Sequence, residues 1–224
     1  MNTQFILAIL FAVFILFSVS LWSVYYEKKY IEPFNQTTNK NIVLIGDSML
    51  QNKSYVSNGK SITDILEKST PHNNIFNYAV DGTTISGVYQ QIKEIPIEFN
   101  NSNASIFLSA GGNDIIDKAQ SGSTNENIDS IFDDYCKMVQ SLKTKMNESK
   151  ITLLTLYYPH SKDYHLYYGM IKDWNKKLDE FAKDKGFGIL KTNSLLSSPT
   201  DFTSNIEPSE TGGEKIAKSI LAFC

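Results

Sequence analysis

Ile42-Val43-Leu44-Ile45 runs straight into Gly46-Asp47-Ser48. Four consecutive branched apolar residues leave no polar face for water, so they suit a strand covered on both sides, as in a parallel sheet. Gly46 then permits a sharp turn, and Ser48 falls just past the strand's carboxyl end. In open α/β sheets that edge is where ligands bind. Two readings of Gly46-Asp47-Ser48 stand side by side: an ordinary loop after a strand, and a turn that presents a nucleophile.

The residues that follow alternate between strand-like and helix-like runs. Strands are expected at 42–46, 75–79, 104–109, 151–157 and 186–190. Ser61 with Asp64 opens one helix, and Ser123 with Glu126 forms a capping box that opens another. The second of these carries Ile128, Ile131, Tyr135, Met138 and Leu142 at helical spacing; a third carries Tyr167, Ile171, Trp174, Leu178 and Phe181 in the same way. Their aromatic richness suits core packing better than a platform for sugars or bases. A last helix is expected from Pro208 to Ala222, with Pro208 in its first turn. Strand-helix alternation with short connections implies an α/β fold, a parallel sheet with helices on both faces.

The amino terminus is a different material. Phe5 to Tyr26 contains no charged residue, and as a helix it would be about 33 Å long, enough to cross a bilayer core. Trp22, Tyr25 and Tyr26 sit where an interfacial aromatic belt belongs. The run is longer than a signal peptide needs and no Lys or Arg precedes it, which favours an uncleaved anchor. Residues 1–27 are therefore read as a transmembrane anchor, 28–41 as a tether containing Pro33, and 42–224 as one folded domain. Lys28 and Lys29 after the span lean toward a cytosolic domain. Asn-x-Ser/Thr sites at Asn35, Asn52, Asn100, Asn103 and Asn147 would suit an exported one. The side of the membrane stays open.

Composition excludes several classes. The net charge is −3 with no basic run, which argues against a nucleic-acid partner. Cys136 and Cys224 are the only cysteines and His72, His160 and His165 are scattered, so there is neither a disulfide framework nor metal-ligand spacing.

Two more pieces fall after later strands. Asn77-Tyr78-Ala79-Val80-Asp81-Gly82 follows the second, where Gly82 can offer a backbone N–H at close approach. Gly111-Gly112-Asn113-Asp114 follows the third, where two glycines let Asn113 reach back over the sheet edge. Each alone is most simply a turn. In this order, after successive strands, they resemble the blocks of the SGNH (GDSL-type) hydrolase family, from Ile42 to the carboxyl terminus. The resemblance implies a three-layer, flavodoxin-like, five-stranded parallel sheet. It also implies that Ser48 attacks an ester carbonyl while the Ser48 N–H, the Gly82 N–H and the Asn113 side chain hold the oxyanion. Three fixed donors aimed at a developing charge supply several kcal/mol of transition-state stabilisation.

The last block departs from the family's pattern. Aligning Pro208, Ser209, Gly212 and Ile216-Ala217 puts Glu207 where the family has its catalytic His, and Ser204 where it has the orienting Asp. The two changes fit each other, because an Asp at 204 would repel a carboxylate at 207. Glu207 has two readings: a cap at a helix amino terminus, and a catalytic or positioning carboxylate. As a base it has up to ~3 kcal/mol less proton affinity than His, a handicap that burial against an apolar wall such as Tyr157-Tyr158-Pro159 would offset. His160, at the correct edge of the sheet, is the alternative base.

The expected function is thus a membrane-anchored ester hydrolase, an esterase or deacylase acting on an acyl ester of a carbohydrate, lipid or small molecule. Its site residues are Ser48, Gly82, Asn113 and Glu207, and no metal or organic cofactor is implied. An O-acyltransferase and a non-catalytic binding module that keeps the fold without turnover are the rival readings.

Overall fold

A computed structural model of the protein describes residues 39–120 and 128–224, with isolated positions 2, 4, 15–18, 20 and 22 before them. Most of the expected membrane span, most of the tether and the Ser123–Glu126 box lie outside the described residues. Among those described, no helix is long and apolar enough to cross a membrane.

The chain runs β1 (Asn41–Gly46), α1 (Ser48–Gln51), α2 (Ile62–Ser69), β2 (Asn74–Asn77), α3 (Ile85–Glu94) and β3 (Ala104–Ser109). It continues with α4 (Gly112–Gln120), α5 (Asp129–Lys145), β4 (Lys150–Leu154), α6 (Tyr168–Lys185) and β5 (Gly188–Leu190). The last part holds α7 (Thr192–Leu195), β6 (Phe202–Thr203), β7 (Glu207–Pro208) and α8 (Glu210–Phe223). Five strands form one sheet in the order β2-β1-β3-β4-β5, every neighbouring pair parallel. The chain steps from β1 to one edge at β2, then back across β1 to β3, β4 and β5. Right-handed crossovers in opposite directions place their helices on opposite faces. In agreement, α2 packs on α8 and α3 packs on α5. The reversal of direction lies at β1 and β3, whose carboxyl ends therefore border a crevice.

Ile42, Val43, Leu44 and Ile45 are wholly buried, as are Ile106, Phe107 and Leu108 beside them in β3. The aromatic stripes of the two long helices meet in the core: Tyr135 and Trp174 are fully buried with their rings 5.1 Å apart in an edge-on arrangement. Ser61 caps α2 with the expected reciprocal bonds to Asp64.

Several boundaries differ from expectation, among them β2, which runs Asn74–Asn77 rather than 75–79. The β4 strand stops at Leu154 rather than 157, because the Asn175 side chain takes over Leu156, accepting from its N–H at 2.8 Å and donating to its carbonyl at 2.7 Å. The last strand begins at Gly188 rather than 186. The last helix starts at Glu210 rather than Pro208, because Pro208 belongs to β7 and the Ser209 hydroxyl caps the helix by accepting from Gly212 N–H at 3.2 Å.

Candidate active site

The turn after β1 is gripped from both sides. Gly46 has φ +126°, and a Cβ there would stand 1.8 Å from the Ser109 carbonyl oxygen, so only glycine fits. The buried Gln91 side chain accepts from Gly46 N–H at 2.6 Å and donates to Gly46 O at 2.8 Å. Asp47 caps α1: its carboxylate accepts from Met49 N–H at 3.2 Å and from the Ser109 hydroxyl. Burial pushes the Asp47 carboxyl up to about 6, against the Ser109 and Met49 hydrogen bonds that favour its charged form. Ser48 is thereby the first residue of a helical turn, half-buried, and its backbone N–H makes no hydrogen bond within the described residues.

Two further donors lie nearby. The Asn113 amide nitrogen, in the first turn of α4, donates to Thr83 O at 2.8 Å, which leaves its second N–H free to point elsewhere. Asp114 beside it accepts from Ile85 N–H at 3.0 Å and ties α4 to the start of α3. Gly82 precedes Thr83 in a turn with φ +70°, is exposed, and its N–H has no partner among the described residues. Val80 N–H bonds to Gly46 O at 3.0 Å, so the Gly82 turn is anchored to the Ser48 turn at one end and to Asn113 at the other.

Glu207 arrives from the far end of the chain. It lies on β7, which pairs antiparallel with β6, Thr203 opposite Glu207 and Phe202 opposite Pro208. The carboxyl is not a helix cap, since Ser209 fills that position. Glu207 is 8 % exposed, and its Oε2 is buried with no hydrogen-bond partner among the described residues. Burial pushes its carboxyl up to about 7, while the nearby Ser48 hydroxyl pulls it down and the negative charges of Asp47 and Asp81 raise it further. Ser204, where the family resemblance expects an acid, sits exposed in the β6–β7 turn with φ +46°.

Ser48, Asn113 and Glu207 line one cleft of about 550 Å³, its open mouth included. Much of its lining is apolar: Ile115, Leu156, Tyr157, Pro159 and Ile171 are buried residues on it. Tyr157 and Pro159 thus stand where the sequence placed an apolar wall for Glu207, whereas Tyr158 does not line the cleft. No histidine lines it either, and His72, His160 and His165 are all exposed. The geometry gathers a hydroxyl, a carboxyl of raised proton affinity and the N–H donors of Ser48 and Asn113 at an apolar pocket, whose lining does not include Gly82.

Four residues that hold this arrangement escaped the sequence reading of the site. Gln91 carries a local signal, a polar residue on the buried stripe of Ile85, Val88 and Ile92. Ser109 has the register of its strand, directly opposite Gly46. Asp47 was read only as part of a motif. Asn52 was noted only as a glycosylation sequon, yet it is wholly buried with both ends of its amide engaged, so the folded domain offers no glycan site there.

The family model described as GDSL-like Lipase/Acylhydrolase matches residues 42–220. Among solved structures the chain is similar to a member of the lipolytic protein G-D-S-L family from Veillonella parvula DSM 2008, with 19 % identity and a TM-score of 0.67, covering 82 % of this chain and 97 % of that one. It is also similar to the lipase Lip_vut3 from a goat rumen metagenome, with 15 % identity, a TM-score of 0.67 and coverage of 82 % and 97 %. A third neighbour is the acetyl xylan esterase AlAXEase, with 15 % identity, a TM-score of 0.63 and coverage of 82 % and 98 %. No curated protein sequence matches.

Proposed function

This chain belongs to the GDSL-like lipase/acylhydrolase family and is an ester hydrolase, and on that premise we propose that Ser48 is its nucleophile and Glu207 its general base. The observation that carries this reading is the Ser48 hydroxyl against a buried carboxyl whose proton affinity has risen to about 7, in a cleft without histidine. A carboxylate at its ordinary value is a poor base at neutral pH; one poised near 7 is matched to the task.

In the first step Ser48 Oγ attacks the ester carbonyl and its proton passes to Glu207. The carbonyl oxygen takes the negative charge and is held by the N–H groups of Ser48 and Gly82 and by the Asn113 amide. Collapse expels the alcohol, which takes its proton from Glu207, and leaves an acyl group on Ser48. Water then attacks the acyl-enzyme with Glu207 again as base, and the second collapse releases the acid and restores Ser48. The apolar lining of the cleft receives the hydrocarbon part of the ester and excludes water from the carboxyl. The substrate is an acyl ester of a carbohydrate, lipid or small molecule, and no cofactor enters the scheme.

Short-chain chromogenic esters assayed with the full chain in detergent test the scheme. Ser48→Ala is expected to abolish both turnover and labelling by a fluorophosphonate. Glu207→Gln is expected to lower kcat by roughly 10²–10⁴-fold and remove the rise in kcat/KM as pH climbs through about 7. His160→Ala is expected to leave both intact. Loss of activity in His160→Ala with Glu207→Gln unaffected would move the base to His160.

A further inference from the structure

Asn52 ends α1, four positions after Ser48, with a left-handed backbone at φ +46°. Its N–H closes the turn on Ser48 O at 2.9 Å and its carbonyl accepts from Tyr55 N–H at 3.0 Å. A left-handed cap needs no side chain for this. The side chain does something else: Nδ2 donates to Pro208 O at 2.8 Å, and Oδ1 accepts from Ile62 N–H at 3.3 Å. One wholly buried residue therefore touches the turn of Ser48, the strand of Glu207 and the start of α2.

We propose that Asn52 is a positioning residue for ester hydrolysis, its amide bridging the end of the Ser48 helix to the Pro208 carbonyl and so setting the Glu207 carboxyl against the Ser48 hydroxyl. This rests on Ser48 and Glu207 being nucleophile and base. The strand that carries Glu207 is two residues long and pairs with another of two, too short to hold its own geometry. Pro208 has no N–H to contribute, so its carbonyl is the backbone handle it has left. The neighbouring ties lead away from Ser48: Ser209 N–H bonds Asp201 O at 2.9 Å, and Lys215 pairs with the Asp201 carboxylate at 2.7 Å. The Glu207 Oε2 adds no tie of its own, since it has no partner among the described residues. The other titratable groups acting on or facing Glu207 are Asp47, Asp81, Tyr55 and Tyr157, and a substitution at 52 leaves all four in the chain.

Two variants of the full chain test the bridge. Asn52→Gly keeps the left-handed backbone and removes the side chain; Asn52→Asp keeps the shape and sets an oxygen against the Pro208 carbonyl. Each is assayed for kcat and KM on a chromogenic acetate ester across pH, after its circular dichroism spectrum has shown it folded. A misplacement on the scale of an ångström is worth on the order of 10²-fold in rate, so kcat is expected to fall by about that factor in Asn52→Gly with KM little changed. The acid limb, near 7 in the parent, is expected to move down toward the ordinary carboxylate range as Glu207 is released from burial. Should Asn52→Gly fail to fold, the kcat of Asn52→Asp decides, because the carboxylate it introduces itself acts on the limb. A limb that is present in the parent and unmoved in the folded variants, with kcat retained, overturns the bridge alone. A parent profile with no limb sensitive to Glu207→Gln overturns the base assignment instead.

Discussion

Ser48 leaves a six-residue strand paired on both sides, whereas Glu207 sits on a two-residue strand paired on one. The Ser48 turn is fixed within the sheet layer: Gly46 presses on the backbone of Ser109 in the adjacent strand, and the buried Gln91 side chain takes both polar groups of Gly46. The Glu207 ribbon is fixed by side chains, Asn52 from the nucleophile's helix and the buried Asp201 with Lys215 behind it. One half of the cleft is thus part of the sheet, and the other half is attached to it. A sheet edge tolerates little change without unfolding, while an attached ribbon can change its residues and keep the fold. The replacement of an expected histidine by Glu207 falls in the half where that freedom exists.

The comparison breaks if Gly46 proves dispensable. Gly46→Ala places a methyl group 1.8 Å from Ser109 O at φ +126°, and the expected loss is ~4 kcal/mol or more, or failure to fold. Urea unfolding measures it; a loss under ~1 kcal/mol would mean that the turn is not the rigid half. Asn113→Ala removes one oxyanion donor from the same half and is expected to lower kcat by about 10²–10³-fold while the fold stays intact. A drop in thermal stability with kcat unchanged would make Asn113 a brace for Thr83 rather than a donor.

The smallest effect falls on the attached half and has the opposite sign. Burial raises Glu207 from 4.5 to about 7, so the folded protein keeps a proton that the unfolded chain releases. Its contribution to stability is intact below 4.5 and is lost as pH rises through about 7. Above that value the charged carboxylate costs about 3 kcal/mol. Glu207→Gln is therefore expected to be more stable than the parent at alkaline pH, with the difference closing below 4.5. A destabilised Glu207→Gln under those conditions would mark the carboxylate as a structural group. The expected gain is the signature of a residue kept for activity at the expense of stability.

Much of the first half was legible from residue order. Ile42–Ile45, the Ser61 cap and the stripes carrying Tyr135 and Trp174 are local patterns, and local patterns state their own burial. Gly46, Gly82 and Asn113 were legible because each follows a strand, and parallel strands gather their carboxyl ends on one edge. The second half was not. Pro208 reads as a helix start until Ser209 is seen to cap and β6 to pair with β7. Asn52 reads as a surface sequon until its amide is seen on Pro208, a partner 156 positions away.

Sequence alone determined the parallel sheet and the edge on which Ser48 stands, because an apolar run with no polar face can only be buried. The resemblance to the family also placed Glu207 near that edge, through Pro208, Ser209, Gly212 and Ile216-Ala217 that flank it. The tertiary structure decided what Glu207 is: not a cap but a buried carboxyl that lines one cleft with Ser48 and a set of apolar residues. Proton affinity is set by the dielectric and charges that surround a group, and those come from Asp47, Asp81 and the fold of the whole chain rather than from neighbours in sequence.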